Sequence, residues 1–186
     1  MTHRTATPAP GDLLIAPPEA RDPNFRRTVV LVCDHTDEGT FGLVLNRPLE
    51  AAVRDLPLGL GSDDQLWGGG PVQENTLHWL HMHGGLIPEA MPVSGRVHWG
   101  GDFSAVRLLL KQGEATPGDL RLYLGYAGWS GGQLEDEIRD GVWFITRGEE
   151  ELIFAAEPGN LWRTVLIRMG GDYALLVNYP DNPRFN

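Results

Sequence analysis

The sequence is poor in cysteine, with Cys33 as the single thiol in 186 residues. No disulfide can therefore form within the chain, which excludes the disulfide-stapled class of small secreted domains and agrees with a reducing compartment. Cys33 lies in an apolar run, where a small buried side chain is the ordinary outcome. A catalytic thiol would need a base within reach, and His35, two residues further along the predicted strand, would share its face. Because no third group is identifiable, we assign Cys33 no catalytic role.

Long apolar runs are also missing. No stretch approaches the roughly 18–20 residues that a transmembrane helix needs, and the N-terminal letters MTHRTATPAPG lack the apolar core of a secretory signal. With 41% hydrophobic residues, the chain is long enough to bury a core without metals or disulfides. We expect a single domain over residues 12–179, with flexible tails at 1–11 and 180–186.

Positive charge is scarce. Lysine and arginine number 15 against 25 aspartates and glutamates, the formal net charge is -10, and Lys111 is the one lysine. No arginine cluster is longer than Arg26-Arg27. Phosphate contacts supply most of the non-specific affinity for nucleic acid, and an acidic chain without a basic stripe repels phosphates. Direct nucleic-acid binding is therefore disfavoured, and we expect a protein or small-molecule partner.

Three histidines, His78, His81 and His83, fall within six residues of a predicted strand. His81 and His83 would share one face of that strand and His78 the other. A zinc site needs three or four ligands, and the one further candidate, His98, is not tied to them by sequence. We therefore expect ordinary half-buried or exposed histidines, no metal and no cofactor.

The letters GWSGG at residues 128–132 match the Gly-x-Ser-x-Gly pattern of hydrolase nucleophiles. In that class an acid and a histidine follow the serine, but the last histidine here is His98, upstream of Ser130. The required order is absent. We predict instead that Ser130 caps a helix in a capping box with Gln133, after a tight strand-to-helix elbow at 125–133.

The clearest secondary structure is predicted in residues 13–48, where three apolar, β-branched runs alternate with explicit turn residues. This stretch reads as the middle of a sheet. Gly42 in the third run indicates a bulge or a close backbone approach, and Phe25 is the expected apolar anchor of the first turn. Strands are predicted at 13–16, 28–33, 41–46, 65–67, 76–82, 93–99, 120–125 and 143–146, and a strand or extended segment at 173–178. Helices are predicted at 51–56, 103–111, after Ser130 and at 161–169, with an acidic turn at 149–154.

Four segments resemble the YqgE/AlgH family of bacterial proteins: LLIAPPEARDPNFRRTVVLVCDHTDEGTFGLVLNRPL, WGGGPVQ, TLHWLH and GYAGWSGGQLEDEI. The resemblance implies an α+β fold with a coiled, partly barrel-like, mainly antiparallel β-sheet flanked by a few helices. It also implies a cytoplasmic setting. The family carries the label of transcriptional regulator, which fits poorly with an acidic chain lacking a helix-turn-helix motif.

The residues that match the family's motifs include polar and aromatic side chains at loop ends, where a groove can form. We predict that two strand exits, around residues 46–48 and 126–129, meet in one polar-aromatic cleft. A non-enzymatic binding or regulatory module predicts an open groove there. The alternative, an enzyme with a His/Glu acid–base pair or a histidine metal site, predicts two titratable groups within hydrogen-bond reach in a pocket. The candidate cleft residues are Asp22, Arg27, His35, Asn46, Arg47, Tyr126, Trp129, Gln133 and Glu135.

Overall fold

The structure is a computed structural model that describes residues 7–20, 22–60, 62–116, 118–155 and 157–179. These ranges contain ten strands, five helices and two short 3-10 turns at Val53–Asp55 and Leu176–Asn178. The strands are β1 Asp12–Ile15, β2 Val29–Thr36, β3 Gly39–Val44, β4 Pro48–Ala52, β5 Gln65–Gly68, β6 Val72–His81, β7 Met91–Ser94, β8 Val97–Trp99, β9 Leu120–Ser130 and β10 Phe144–Arg147. The helices are α1 Phe103–Gln112, α2 Gln133–Arg139, α3 Glu150–Ile153, α4 Pro158–Met169 and α5 Gly171–Leu175.

The strands form one curled, mainly antiparallel sheet in the order β10-β1-β2-β3-β9-β6-β8-β7. Strands β4 and β5 lie off this path, and β5 runs parallel to β9. The predicted α+β class and half-barrel sheet are confirmed. The stretch 13–48 does supply three neighbouring strands of the sheet, β1 to β3. Strand β9 pairs with β3, β5 and β6, so it is the element around which the sheet curls.

The curl brings the two ends of the sheet towards each other. The Ser94 hydroxyl at the end of β7 donates to the Gly148 carbonyl, 2.9 Å away, just after β10. Beside it, the Arg96 guanidinium pairs with the Glu150 carboxylate at 2.8 Å. These contacts hold the half-barrel in its curled form, although β7 and β10, the two end strands, do not pair with each other.

Three apolar clusters surround the sheet. The inner core fills the concave side, where β1, β2 and β3 pack with α3 and α4 through residues such as Leu31, Leu43 and Trp162. The α2 core lies on the opposite face under Leu134 and Ile138. A third cluster packs α1 against β5, β6 and β9. Because β2 and β3 are covered on both faces, their sequences are almost continuously apolar.

A β-bulge at Cys33 decides which side chains of β2 face which core. Val32 pairs with Gly42 and Asp34 with Phe41, so two residues of β2 oppose one of β3. Cys33 keeps the alternation that places Val29 and Leu31 in the inner core, whereas His35, beyond the bulge, turns towards α2. The expectation that Cys33 and His35 share a face is wrong, since the alternation slips at the bulge. Burial also raises the pKa of the Cys33 thiol, which leaves it protonated and unreactive.

The predicted elbow at 125–133 is wrong in its first half, because β9 runs on through the glycines to Ser130. Antiparallel pairing with β3 extends as far as Ser130 opposite Gly39 and sustains the strand. The N-cap of α2 is Gly132, not Ser130. One half of the capping box does form, since the Ser130 amide donates to Oε1 of Gln133 at 3.0 Å.

Helix α1 begins and ends as predicted. Oδ1 of Asp102 accepts from the Ser104 amide at 2.8 Å, and Gly113 closes the helix in the left-handed region. The anchor role of Phe25 is also confirmed, because its ring contacts Trp129 and Trp143 at centroid distances of 6.5 and 5.3 Å.

Four other segments differ from the sequence expectations. Residues 173–178 are helical, in α5 and the following 3-10 turn, because the segment folds back along α4 and Tyr173 packs edge-on against Phe144 at 5.0 Å. Gly95, in the left-handed region, splits the predicted strand 93–99 into the hairpin β7–β8. The predicted helix at 51–56 is the end of β4 and a 3-10 turn, and the acidic turn at 149–154 contains α3.

The tails predicted at 1–11 and 180–186 fall largely outside the described residues. Within the described part, Gly11 is buried and its amide donates to the Val32 carbonyl at 2.8 Å. No helix within the described ranges is long and apolar enough to cross a bilayer.

Candidate functional site

A row of residues across three strands organises the candidate site. Asp34 of β2 lies opposite Phe41 of β3, and Phe41 lies opposite Gly128 of β9. Side chains two residues apart share a strand face, so Tyr126 and Ser130 extend the row on β9. These residues line a cavity of about 440 Å³, and two of them, Phe41 and Tyr126, also pack against the inner core.

Aromatic rings form one wall of this cavity. The Phe41 ring stacks on Tyr126 at 4.7 Å between centroids and on Trp99 at 4.4 Å. His78 meets Phe41 edge-on at 5.0 Å. Burial lowers the pKa of His78, which favours its neutral imidazole. Phe41 and Tyr126 are half-buried and line the cavity, while Trp99 and His78 pack against Phe41 without lining it.

The charged groups of the cavity are both acidic. Asp34 and Glu38 line it, and none of its described lining residues is basic. Oδ1 of Asp34 accepts from the His35 amide at 3.0 Å, which holds the carboxylate in place. The hydroxyl of Ser130 donates to Gln133 Oε1 at 3.1 Å, so its oxygen lone pairs can accept further hydrogen bonds.

Gly128 keeps the floor of the cavity open. It is exposed and its backbone is not left-handed, so conformation does not demand glycine here. A Cβ atom at this position would lie 3.0 Å from Cε2 of Tyr126. The absence of a side chain therefore leaves the Tyr126 ring accessible from the cavity.

The next row across the same strands faces the other way, beneath α2. His35 lies opposite Thr40, and Thr40 opposite Trp129. Nδ1 of His35 is 2.7 Å from the Thr40 hydroxyl, and Nε2 is 3.4 Å from Oε1 of Glu135. The structure thus brings His35 and Glu135 together, but neither lines the cavity.

Glu137 organises the remaining contacts of α2. Its Oε2 accepts from the indole Nε1 atoms of Trp129 at 2.8 Å and Trp143 at 2.9 Å. Its Oε1 accepts from Gln133 Nε2 at 2.9 Å. Trp129 touches the cavity but is only 8% exposed and belongs to the α2 core. We therefore infer that Trp129 and Gln133 help to hold α2 against the sheet.

The other four predicted cleft residues lie at the opposite end of β3. Asn46 is buried, with Oδ1 accepting from the Val29 amide at 3.0 Å and Nδ2 donating to the Arg27 carbonyl at 2.9 Å. The Arg27 guanidinium lies 4.8 Å above the Trp162 ring and donates to the Tyr179 carbonyl. Asn46 and Arg27 therefore join β2, β3 and the C-terminal helices.

Asp22 caps its own turn, since its Oδ1 accepts from the Asn24 amide at 2.9 Å. Arg47 lines a second cavity of about 310 Å³ together with Glu74, and burial lowers the pKa of its guanidinium. Residues 126–129 are not a strand exit, since they lie within β9 beside residues 40–42 of β3, whereas residues 46–48 follow the end of β3. The nine predicted residues occupy two separate places and do not form one cleft.

The histidines of β6 have separate partners. His81 is fully buried, its Nε2 lies 3.0 Å from the Gly100 carbonyl, and its Nδ1 accepts from the His83 amide at 3.1 Å. His83 pairs with Asp119 at 3.2 Å, and the His98 ring stacks on His81 at 5.7 Å. Across the described ranges, no group of three His, Cys, Asp or Glu side chains is placed to hold a metal ion.

Two of the nine predicted residues, Tyr126 and Trp129, line the cavity. Asp34, Phe41 and Gly128 also line it and are not among the predicted residues. One signal was available, since Tyr126, Gly128 and Ser130 alternate as residues of one strand face would. The bulge that turns Asp34 towards them lies opposite Gly42, the residue that indicates a bulge or a close backbone approach, but Gly42 does not show which side chains of β2 change face.

The fold and the site define the chain as an α+β half-barrel protein with an open, acidic and aromatic cavity. Residues 13–174 match the family model described as AlgH-like, and the chain belongs to that family. The resemblance predicted from the four motifs is therefore confirmed.

The relatives cover nearly the whole chain. A UPF0301 protein of Chlorobium luteolum is 41% identical over 179 residues, which span 96% of this chain and 95% of that protein. One from Chlorobium chlorochromatii is 42% identical over 177 residues, or 95% and 94% of the two chains. The solution structure of AlgH from Pseudomonas aeruginosa matches with a TM-score of 0.72 at 27% identity, covering 96% of this chain and 99% of AlgH. The crystal structure of DIP2367 from Corynebacterium diphtheriae has the same fold, with a TM-score of 0.78 at 23% identity and 94% coverage of both chains.

Proposed function

We propose that this AlgH-like protein is a non-enzymatic binding module, and that its aromatic cavity holds a segment of a partner protein. The observation that carries the proposal is the separation of the titratable pair from the cavity. His35 and Glu135 approach within 3.4 Å, but they contact each other beneath α2, and the His35 side chain is 13% exposed. An acid–base mechanism requires such a pair to reach a substrate in a pocket.

Any effect on transcription is then indirect, through the partner. The net charge of -10 and the two carboxylates of the cavity oppose contact with phosphates. A cytoplasmic partner fits the single, buried and protonated cysteine. We regard the chain as an adaptor whose effect on gene expression results from occupying or presenting another protein.

The test places a side chain in the cavity and leaves the residues of the inner core and the α2 core unchanged. We expect Gly128→Leu to reduce capture of the partner from a native lysate by at least about tenfold, because the added side chain occupies the floor beside Tyr126. The matched control is Gly85→Leu, which changes another exposed glycine of ordinary backbone conformation with open space around it. Captured proteins are quantified by mass spectrometry for wild type and both variants.

Two outcomes count against the proposal. Capture of the same proteins in the same amounts by Gly128→Leu and wild type would show that the cavity is not the binding site. Turnover of a substrate that depends on His35 or Glu135 would show that the protein is an enzyme. Urea unfolding of both variants confirms that they retain the fold. Trp129→Ala is unsuitable as a binding test, because that side chain supports the α2 core.

A further inference from the structure

We propose that the cavity recognises an arginine side chain presented by the partner protein, with the guanidinium between the Tyr126 ring and the carboxylates of Asp34 and Glu38. This inference rests on the proposed function, because it names the chemistry of the segment that the binding module takes. Three features of the cavity support it: its rings, its charges and its size.

The rings provide an electron-rich surface. A cation within about 6 Å of a tyrosine or phenylalanine ring is attracted by the ring's quadrupole. Phe41 is packed between neighbouring aromatic groups, while Tyr126 lines the cavity beside the bare backbone of Gly128. A planar guanidinium can stack flat on the tyrosine ring in the space that a side chain at position 128 would fill.

The charges select a cation. Asp34 and Glu38 carry the charges among the described lining residues, and no basic side chain there neutralises them. Asp34 is already oriented by the hydrogen bond from the His35 amide, so little ordering is needed when a ligand binds. Arginine can pair with a carboxylate through two parallel N–H donors, which a lysine ammonium cannot do.

Hydrogen-bond acceptors other than the carboxylates also fit a guanidinium. The hydroxyls of Thr36 and Ser130 lie on the same strand face as Asp34 and line the cavity. A guanidinium carries five N–H donors, and the two hydroxyl oxygens can accept hydrogen bonds from the N–H groups that do not pair with a carboxylate. The volume of about 440 Å³ lies near the lower end of the range of ligand sites, which suits one side chain and its adjoining backbone.

The test uses the full chain and short blocked peptides. We titrate ¹⁵N-labelled protein with acetyl-Gly-Arg-Gly-amide and follow the amide signals of Tyr126, Gly128 and Ser130. The expected result is a saturable shift with a dissociation constant on the order of 1 mM, which weakens as salt is added. The citrulline peptide, which has nearly the same shape but no charge, should bind at least about tenfold more weakly, with the lysine peptide between them.

Two double variants distinguish binding at the cavity from the effect of the protein's net charge. Asp34→Asn with Glu38→Gln should weaken arginine-peptide binding at least about tenfold, since both charged partners are lost. Glu89→Gln with Glu114→Gln removes the same net charge from exposed positions outside the cavity and should leave binding unchanged. Asparagine at position 34 can still accept the His35 amide, so the first variant retains the local structure.

The outcomes distinguish this inference from the proposed function. Equal binding of the citrulline and arginine peptides in the cavity would overturn the choice of cation while leaving a binding module. If no saturable shift appears up to about 20 mM arginine peptide, the inference also fails, even where Gly128→Leu loses a captured partner. If partner capture is insensitive to Gly128→Leu and no peptide binds, both proposals fail.

Discussion

Replacing Trp129 with alanine is expected to lower the free energy of unfolding by about 3–5 kcal/mol, the usual cost of removing a buried tryptophan side chain. The ring is 8% exposed and contacts Phe25 and Trp143 in the α2 core. Its Nε1 also donates to the Glu137 carboxylate, which would lose one of the hydrogen bonds from Trp129, Trp143 and Gln133 that hold it in place. The measurement is urea unfolding at pH 7.5, followed by circular dichroism.

Two controls test whether the loss has this origin. Trp129→Phe keeps much of the ring packing and removes the bond to Glu137, so we expect a smaller loss, about 1–3 kcal/mol. Leu108→Ala at a position 54% exposed should change stability by less than about 0.5 kcal/mol. A loss below about 1 kcal/mol for Trp129→Ala would contradict the packing described for the α2 core.

Acidification from pH 7 to pH 4 is expected to remove about 3 kcal/mol of stability through His81. Burial, with a smaller effect from the neighbouring His98 and His83, lowers the pKa of this histidine from 6.5 to about 4, although the bond to the Gly100 carbonyl acts to raise it. The folded protein therefore holds the neutral ring, whose Nδ1 accepts the His83 amide. His81 stabilises the fold fully above pH 6.5, and that contribution is lost as the pH falls towards 4.

The comparison with His81→Gln isolates this contribution, since glutamine does not titrate. The stability difference between wild type and His81→Gln should shrink by about 3 kcal/mol between pH 7 and pH 4. The carboxylates titrate in both proteins, so their contribution cancels in the stability difference. The difference between wild type and Leu108→Ala, which changes no ionisable group, should stay constant over the same range. Parallel pH profiles for wild type and His81→Gln would contradict the buried, neutral state of the ring.

Much of the fold could be predicted because local signals agreed with it. The runs that became β1, β2 and β3 are β-branched and bounded by turn residues, and α1 carries both its Asp102 cap and its Gly113 end. The apolar segment 173–178 is bounded by Gly170-Gly171 and Pro180, but short apolar runs do not distinguish strand from helix. Its packing along α4 decided the outcome.

The candidate site was predicted in part, and the errors have one geometric source. Motif positions at loop ends were taken to converge, which assumed that the exits of β3 and β9 lie at the same end of the sheet. These strands are antiparallel, and residues 126–129 lie within β9 beside residues 40–42 of β3, whereas residues 46–48 follow the end of β3. Polar residues such as Asn46 instead form hydrogen bonds that connect neighbouring elements.

The sequence by itself determined the positions of most strands along the chain, because alternation and turn residues act locally, and its four motifs identified the family and with it the α+β class. Only the tertiary structure decided which side chains meet. A single extra residue at Cys33 reverses the alternation of β2, and it turns Asp34 towards Phe41 and Gly128 while His35 turns towards α2. A strand's side chains alternate with period two, so a bulge exchanges the two faces beyond it.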